Sequence, residues 1–562
     1  MDGSPDPQTY RRTFLLTLFL LGSVAVGLGR LLHLQADDSV RRPSAEASVA
    51  LLPAMRGNIY DRHGYLLAVS CPVYDVGVSP RQVGDAETLA DQLASLLDTP
   101  RDEILAALTS DDTYVQLQRG VSAQTWDEIT SWEVGALQAD WRPGRVYPHG
   151  PLAACLLGFV TDDGKAAYGL EHYYDEVLAG KDGERRTVRD ALGSLSYQWR
   201  PPRDGADLHL TLDRNVQDVV EQELTRAVSD TEADRGVAIV MTPATGAILG
   251  MAVAPAYDPN TREVEDQSLF TNSAISEPYE PGSVFKILTM AAAVDAGVAS
   301  LDSTYYDGGV IVVGGERIEN SDRMAYGQTS MHDLLAHSLN VGAAHLSTEL
   351  GAFEFYEYVR RFGFAELTGV DLAYEVPGWL RLPGDRDWHE SDLATNSFGQ
   401  GLATTPLQVL SAVAAVANGG VLMRPYIVQR QIADQMVTET VPQEVRRVVS
   451  REAASDVTEM LVYAVDIALN TAAIQGYRVA GKSGTSQVSA PGGYDPEKTI
   501  PSFAGYVPAD DPAFAILVAL YETRGQHWGM WAAAPVFREI ARRLLKLYAV
   551  PSYDVRLQLQ GR

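Results

Sequence analysis

Lysine is scarce in this chain, six residues against thirty-nine arginines, and two of the six stand in short serine-containing motifs. They are Lys286 in Ser283-Val284-Phe285-Lys286 and Lys482 in Lys482-Ser483-Gly484-Thr485. Arginine does the generic work of solvation and surface pairing here, so a retained lysine points to chemistry that guanidinium cannot do. Releasing a proton near neutral pH is such chemistry, because arginine stays protonated above about pH 12, whereas a desolvated lysine titrates near ~7. The pattern reads as a serine nucleophile with a lysine base.

A lone S-x-x-K is weak, since somewhat fewer than about one is expected by chance in a chain of this composition. Read blandly, Ser283 is a helix cap and Lys286 an unrelated residue one turn on. Its setting argues for more, because a serine at a helix N-terminus after Pro281-Gly282 has its own N–H free to face a reacting carbonyl, which is half an oxyanion hole. Ser338-Leu339-Asn340 offers a hydroxyl and an amide from a short turn, worth almost nothing alone. Lys482-Ser483-Gly484-Thr485 follows Val479-Ala480 on an expected strand. There Gly484 would let the backbone approach a substrate, Lys482 would supply positive charge, and the Thr485 N–H would complete the oxyanion hole.

The elements that must position these residues are legible in part. A helix is expected over Asn215 to Val228, then a hairpin of Val237–Met241 and Ala247–Val253 across Thr242-Pro243-Ala244-Thr245-Gly246. The Ser283 helix runs to Ala296 and stops at Gly297; Thr405-Pro406 opens another, Leu407 to Asn418, closed by Gly419-Gly420. Ser502–Val507 and Ala513–Tyr521 form a second hairpin, followed by a last helix from about Pro535 to Tyr548. Upstream, Asp61 to Gly64 has turn chemistry between short apolar runs, and Ala86 to Leu97 is helical. Hairpins at both ends with helices between them predict an α+β fold, an antiparallel sheet packed by helices.

At 562 residues and 46% hydrophobic, the chain can bury the cores of two to four domains. Its net charge of -28 argues against a nucleic-acid partner and fits a soluble surface outside the cytoplasm or a salt-adapted one. Cys71 and Cys155 are too few for a disulfide framework, though a single bridge between them is compatible with an oxidising compartment. The ten histidines show no paired-ligand spacing, and His332, His337 and His345 read as ordinary helix residues; neither a metal nor a dissociable cofactor is inferred.

Thr13 to Gly29 is uncharged and mostly apolar, and Leu31 and Leu32 extend it past Arg30. A cleaved signal peptide competes as a reading, and Tyr10-Arg11-Arg12-Thr13-Phe14-Leu15 even resembles a twin-arginine signal. The run is long for a signal core and lacks an A-x-A site, which favours an uncleaved anchor at 13–32. Arg30, Arg41 and Arg42 beyond the span blur the positive-inside count, so orientation rests on the large domain.

Ser283-x-x-Lys286, Ser338-x-Asn340 and Lys482-Ser483-Gly484, in this order, match the three motifs of penicillin-binding proteins and serine β-lactamases. Over nearly its whole length the chain resembles class B penicillin-binding proteins, the monofunctional peptidoglycan transpeptidases. The resemblance is carried by Arg56-Gly57-Asn58-Ile59-Tyr60-Asp61-Arg62, Arg145-Val146-Tyr147-Pro148, Gly169-Leu170-Glu171, Leu210-Thr211-Leu212-Asp213, Ser397-Phe398-Gly399-Gln400-Gly401, Thr405-Pro406-Leu407-Gln408 and Ala533-Ala534-Pro535-Val536-Phe537. Glu280-Pro281-Gly282 and the wording around Ala68-Val69-Ser70 look closer to the septal, division type than to the elongation type. Val284 and Ser483 stand where many members have threonine.

The resemblance implies a short cytoplasmic tail (1–12), a single transmembrane anchor (13–32), an elongated N-terminal pedestal of the dimerisation type (36–205), a transpeptidase domain (206–550) and a C-terminal tail (551–562). It places the chain in the bacterial cytoplasmic membrane with its catalytic domain outside. It implies a D-Ala-D-Ala stem peptide as donor, β-lactams as inhibitors, and a polytopic SEDS-type glycosyltransferase engaged through the membrane helix and pedestal. Ser283 would be the nucleophile, Lys286 its base, and Ser338, Asn340 and Lys482 catalytic partners, with Ser483, Gly484 and Thr485 binding the donor and its oxyanion. A β-lactamase or carboxypeptidase would need a water-activating group, for which no glutamate counterpart stands out. Glu265-Asp266 superficially resembles a glycosyltransferase acidic pair but lies inside the transpeptidase region. An elongation-type enzyme, and a non-catalytic or β-lactam-sensing scaffold, are the alternatives.

Overall fold

The structure, a computed structural model, describes residues 7–36, 48–189, 195–490, 493–524 and 528–559. They fall into two compact units, Met1–Ala54 with Lys181–Arg203, and Met55–Gly180 with Asp204–Arg562.

In the first unit, the helix Pro7–Ala36 contains the apolar stretch Arg11–His33, long and apolar enough to cross a membrane. Two of its hydroxyls are satisfied internally: Thr17 Oγ1 and Ser23 Oγ each donate to the carbonyl four residues back, at 2.7 Å. The polar stretch Ala36 to Ala47, which reads from the sequence as a juxtamembrane linker, lies, beyond Ala36, outside the described residues. The rest is a three-stranded antiparallel sheet with Gly183–Arg189 between Ser48–Leu52 and Leu195–Arg200.

Among the described residues, the second unit holds two large sheets and several two-stranded ones. In the upstream one, the long strand Leu66–Val78 pairs on one side with Leu137–Val146 and on the other with Val115–Ser122, and continues through Ile59–Tyr60 and Asp207–Leu210 to Val428–Ala433 and Met436–Glu439. The helix Ala86–Leu97, with the bounds expected from sequence, is capped by Asp85 and buries Leu89, Ala90, Leu93 and Leu97 against this sheet. The second sheet is antiparallel, in the order Ile248–Ala254, Arg235–Met241, Phe514–Tyr521, Gly493–Val507, Ala480–Ala490. Every residue of Phe514–Tyr521 and of Ile248–Ala254 is buried. Helices cover both faces, which explains why these strands read as unbroken apolar runs rather than alternating ones. Arg214–Asp230 and Gly529–Leu547 lie on one face, and Lys286–Asp295, Pro406–Ala417 and Arg451–Ile467 on the other. This is the α+β architecture expected from the sequence.

The segment Arg56 to Asp61 braces this unit. Glu171, wholly buried, accepts from Arg56 Nε and Arg145 Nε at 2.6 Å each, while Arg56 also reaches Asp175 at 2.6 Å. Removing one member of such a cluster leaves a buried charge without its partner, a loss of about 3–5 kcal/mol. Gly57 is required because a Cβ would stand 1.9 Å from the Ala206 carbonyl. Asp61, also buried, accepts from the N–H groups of His63, Tyr65 and Arg214, tying the turn to the start of the next helix.

Several local readings change. The helix expected from about Pro535 begins at Gly529, and Pro535 sits inside it. Proline reads as a start because it suits a first turn, but here the preceding turn is anchored by the Gly529 N–H donating to Thr485 Oγ1 at 3.0 Å. The terminal residues expected as a tail include the helix Tyr553–Leu559, whose Arg556 pairs with Asp510 at 2.7 Å. Cys71 and Cys155 are both free, so the bridge is not formed. Asp266 caps the turn Gln267–Phe270, a structural use of that acidic pair.

Candidate active site

The turn that carries Ser283 is built on glycine. Gly282 takes φ +57°, its N–H donates to Gly399 O at 3.1 Å, and a Cβ on Gly399 would meet Gly282 O at 2.2 Å. The single helix expected from Ser283 is two segments, a 3-10 turn Gly282–Phe285 and the α-helix Lys286–Asp295. In a 3-10 turn residues three apart eclipse, so Ser283 and Lys286 stack directly, with Lys286 Nζ 3.1 Å from Ser283 Oγ. Val284, one of the two departures from the threonine-bearing pattern, is fully buried, and a Cβ on Gly484 would lie 3.0 Å from its Cγ2; the position is packed rather than polar.

The second group comes from the turn between the helices Met331–Ala336 and Asn340–Leu350. Ser338 is held at φ +58°, a left-handed conformation that costs a non-glycine residue about 1–2 kcal/mol. That conformation aims its carbonyl at Lys286 Nζ, 2.6 Å away, with its Oγ at 3.2 Å. Asn340 Oδ1 accepts from the same Nζ at 2.7 Å, and its Nδ2 donates to Glu319 O at 3.1 Å, which sets the orientation of the amide. Asn320 Oδ1 accepts from the Val341 N–H, and Asn320 Nδ2 donates to the buried Asp307 carboxylate. Sequence reasoning missed Glu319, Asn320 and Asp307, which touch the chemistry only through Asn340.

The third group lies on the strand Ala480–Ala490. Gly484 admits the Ser283 turn to this strand, since a Cβ there would meet Ser502 Oγ at 2.6 Å and Pro281 O at 2.9 Å. Gly529 is needed for the same reason: its Cβ would stand 2.1 Å from Gly484 O. Lys482 is fully buried and its Nζ donates to Ser483 O at 3.0 Å. Ser283, Ser338, Asn340, Lys482, Ser483, Gly484 and Thr485 line one cavity of about 770 Å³, joined by Gln400 and Trp528, while Lys286 lies beneath it, 1% exposed. Phe398 stands 5.9 Å from Lys286 Nζ.

Burial first, and then the charge of Lys482, hold the Lys286 amine well below its ordinary range. Burial alone pushes Lys482 down from 10.5 to about 7. Two of the Lys286 partners, Ser338 O and Asn340 Oδ1, only accept, so a neutral amine spends both N–H groups on them and turns its lone pair to the Ser283 hydroxyl. The arrangement can therefore take a proton from Ser283.

A family model for the penicillin binding protein transpeptidase domain matches residues 236–542, and one for the penicillin-binding protein dimerisation domain matches residues 51–210. The chain is 33% identical to Stage V sporulation protein D of Bacillus subtilis, over 94% of this chain and 83% of the relative. It is 30% identical to the peptidoglycan D,D-transpeptidase FtsI of Escherichia coli, over 95% of this chain and 91% of the relative. Among solved structures, penicillin binding protein 3 of Mycobacterium tuberculosis, complexed with aztreonam, superposes with a TM-score of 0.71 at 29% identity, covering 90% of this chain and 98% of that one.

A buried lysine with a depressed pKa binds fewer protons folded than unfolded. The sign is therefore that stability is reduced in full below about pH 7 and recovers as pH rises toward 10.5. Lys482→Met is expected to raise the melting temperature at pH 6 to 7, by a stability gain of roughly 1–4 kcal/mol, with the advantage shrinking by pH 10. Thermal denaturation of both proteins across that range checks this; an advantage that grows with pH would contradict it.

Proposed function

The chain belongs to the class B penicillin-binding proteins, the monofunctional peptidoglycan D,D-transpeptidases with relatives of the FtsI and PBP3 type, and from that premise we propose how its residues carry the reaction. The observation that carries the reading is the Lys286 amine, buried, lowered in pKa, and 3.1 Å from Ser283 Oγ. Lys286 takes the Ser283 proton as Oγ attacks the penultimate carbonyl of a D-Ala-D-Ala stem, and the N–H groups of Ser283 and Thr485 hold the oxyanion. The C–N bond to the terminal D-alanine breaks, and Ser338 relays the proton to that leaving amine. Lys482, with Ser483 and Thr485, binds the donor carboxylate, and Asn340 orients both Lys286 and the donor backbone. The amine of a second stem then attacks the ester, forming the crosslink and returning the proton to Ser283.

The apolar helix Pro7–Ala36 supports a single-pass anchor with the catalytic unit outside the cytoplasm, where peptidoglycan is built. We assign the septal role from the resemblance to division-type relatives, and a SEDS-type glycosyltransferase as partner of the membrane helix. Small residues such as Gly22 and Gly27 let a partner helix approach the backbone closely.

Three outcomes follow. Intact-mass spectrometry after benzylpenicillin should show a persistent adduct on the wild type and none on Ser283→Ala, with Lys286→Met acylating about 10²–10⁴-fold more slowly; an adduct on Ser283→Ala would sink the assignment. The second-order acylation rate should rise with pH as Lys286, which also feels the charge of Lys482, loses its proton first, then fall above about 7 as Lys482 loses its own. Lys482→Gln should abolish the falling limb. Gly22→Leu with Gly27→Leu should cut co-purification of the polytopic glycosyltransferase from the native membrane, and unchanged recovery would count against that interface.

A further inference from the structure

Residues 181–203 invert the charge of the chain. They carry one lysine and five arginines against two aspartates and one glutamate, in a protein of net charge -28. They build two strands of the sheet in the first unit, Gly183–Arg189 and Leu195–Arg200. Trp199 is 71% exposed, the most exposed tryptophan among the described residues, and Tyr197 is 62% exposed. Trp199 pairs with Arg185, and Tyr197 with Thr187 two residues away, so both rings and the Arg185 side chain share one face. The other face presents Val49 paired with Arg186 and, two residues on, Leu51 paired with Glu184, which pairs in turn with Arg200. Val49 is 51% and Leu51 66% exposed, and the three arginines are exposed as well.

Exposed tryptophan and tyrosine interleaved with arginine is the composition that partitions into the headgroup layer of a bilayer. The rings are amphipathic and the guanidinium groups reach lipid phosphates by bending away from the apolar side. The sheet is also tethered within reach of the bilayer. Its strand Ser48–Leu52 begins twelve residues after Ala36 ends the membrane helix, a distance that a fully extended chain limits to roughly 40 Å. A patch opposite in sign to the rest of the protein is drawn to anionic lipid while the remaining surface is repelled, and this attraction falls off within about 8 Å. We propose that the three-stranded sheet docks by its aromatic face on anionic lipid headgroups of the membrane that anchors the chain, with Tyr197 and Trp199 in the interface and Arg185, on the same face, on a lipid phosphate. This rests on the anchored reading above. Docking would hold this sheet at the membrane surface by a second attachment besides the helix.

The test uses the full chain in nanodiscs of mixed phosphatidylglycerol and phosphatidylcholine, or of phosphatidylcholine alone, with and without acyl chains brominated near the carbonyl. The difference between wild type and Trp199→Phe isolates the Trp199 emission. Bromine should quench it in the anionic discs, and Arg185→Glu, on the face of the two rings, should weaken the docking equilibrium about tenfold and abolish the quenching, whereas Arg186→Glu, on the opposite face, should leave most of it. Equal quenching in both lipids, or none in either, overturns the proposal. So does quenching that appears only when a polytopic partner is reconstituted alongside, which would make the sheet a protein interface. Co-migration of the chain with the discs reports anchoring separately: its loss would overturn the anchored reading and the docking with it, whereas co-migration without quenching overturns docking alone. Penicillin acylation of each variant confirms that the large unit is folded.

Discussion

The active-site geometry turns on one amine kept out of water. Lys286 Nζ is surrounded by Ser283 Oγ, Ser338 O and Oγ, and Asn340 Oδ1, all within 3.2 Å, with the ring of Phe398 to one side and no carboxylate among these contacts. Such a site disfavours the ammonium form, because burial removes hydration and the partners return dipoles rather than a counter-charge. The other features of the site serve this condition. The left-handed Ser338 supplies the carbonyl, Glu319 fixes the amide that supplies the second acceptor, and the 3-10 turn brings the serine over the amine.

Glycine makes the assembly close enough to work. Gly282, Gly399, Gly484 and Gly529 each occupy a point where a methyl group would strike backbone or a serine oxygen, at 2.1 to 2.7 Å. They let the nucleophile turn, the Phe398 loop, the lysine strand and the helix Gly529–Leu547 converge on one cavity. The strand itself is the edge of a sheet buried on both faces, so the position of Lys482 is set by a core of long-range strand pairs, and the cavity inherits the rigidity of that core. The buried Arg56–Glu171–Arg145 cluster plays a comparable part upstream, where it ties the segment Arg56 to Asp61 and the strand Leu137–Val146 to the helix Gly169–Tyr173.

Two uncompensated buried lysines cost stability, and the chain otherwise uses lysine sparingly. Arginine would keep its charge in the same place at greater expense and would not yield a proton, so its abundance elsewhere and its exclusion from these two positions have one cause. The protein is strongly acidic, yet its sheet after the membrane helix is basic and aromatic. That contrast distinguishes a solvated catalytic unit from a sheet suited to a charged interface.

Much was legible in the sequence by itself. Period and punctuation located Ala86–Leu97 and the helix Pro406–Ala417, whose Thr405 and Gln408 form a reciprocal cap, and the hairpins of the central sheet. These signals are local, carried by side chains within a turn or a strand of each other. The scarcity of lysine marked Lys286 and Lys482, because side-chain chemistry is a property of the residue alone. The unusual backbone at Ser338, the break of the nucleophile helix into a 3-10 turn, the start of the helix Gly529–Leu547 before Pro535 and the second rank of Asn320 and Asp307 behind Asn340 were decided only in the folded chain. Each depends on a group tens to hundreds of residues away, such as Thr485 Oγ1 for Gly529 or Ser338 O for Lys286, and sequence spacing carries no record of which distant backbone will arrive within hydrogen-bonding distance.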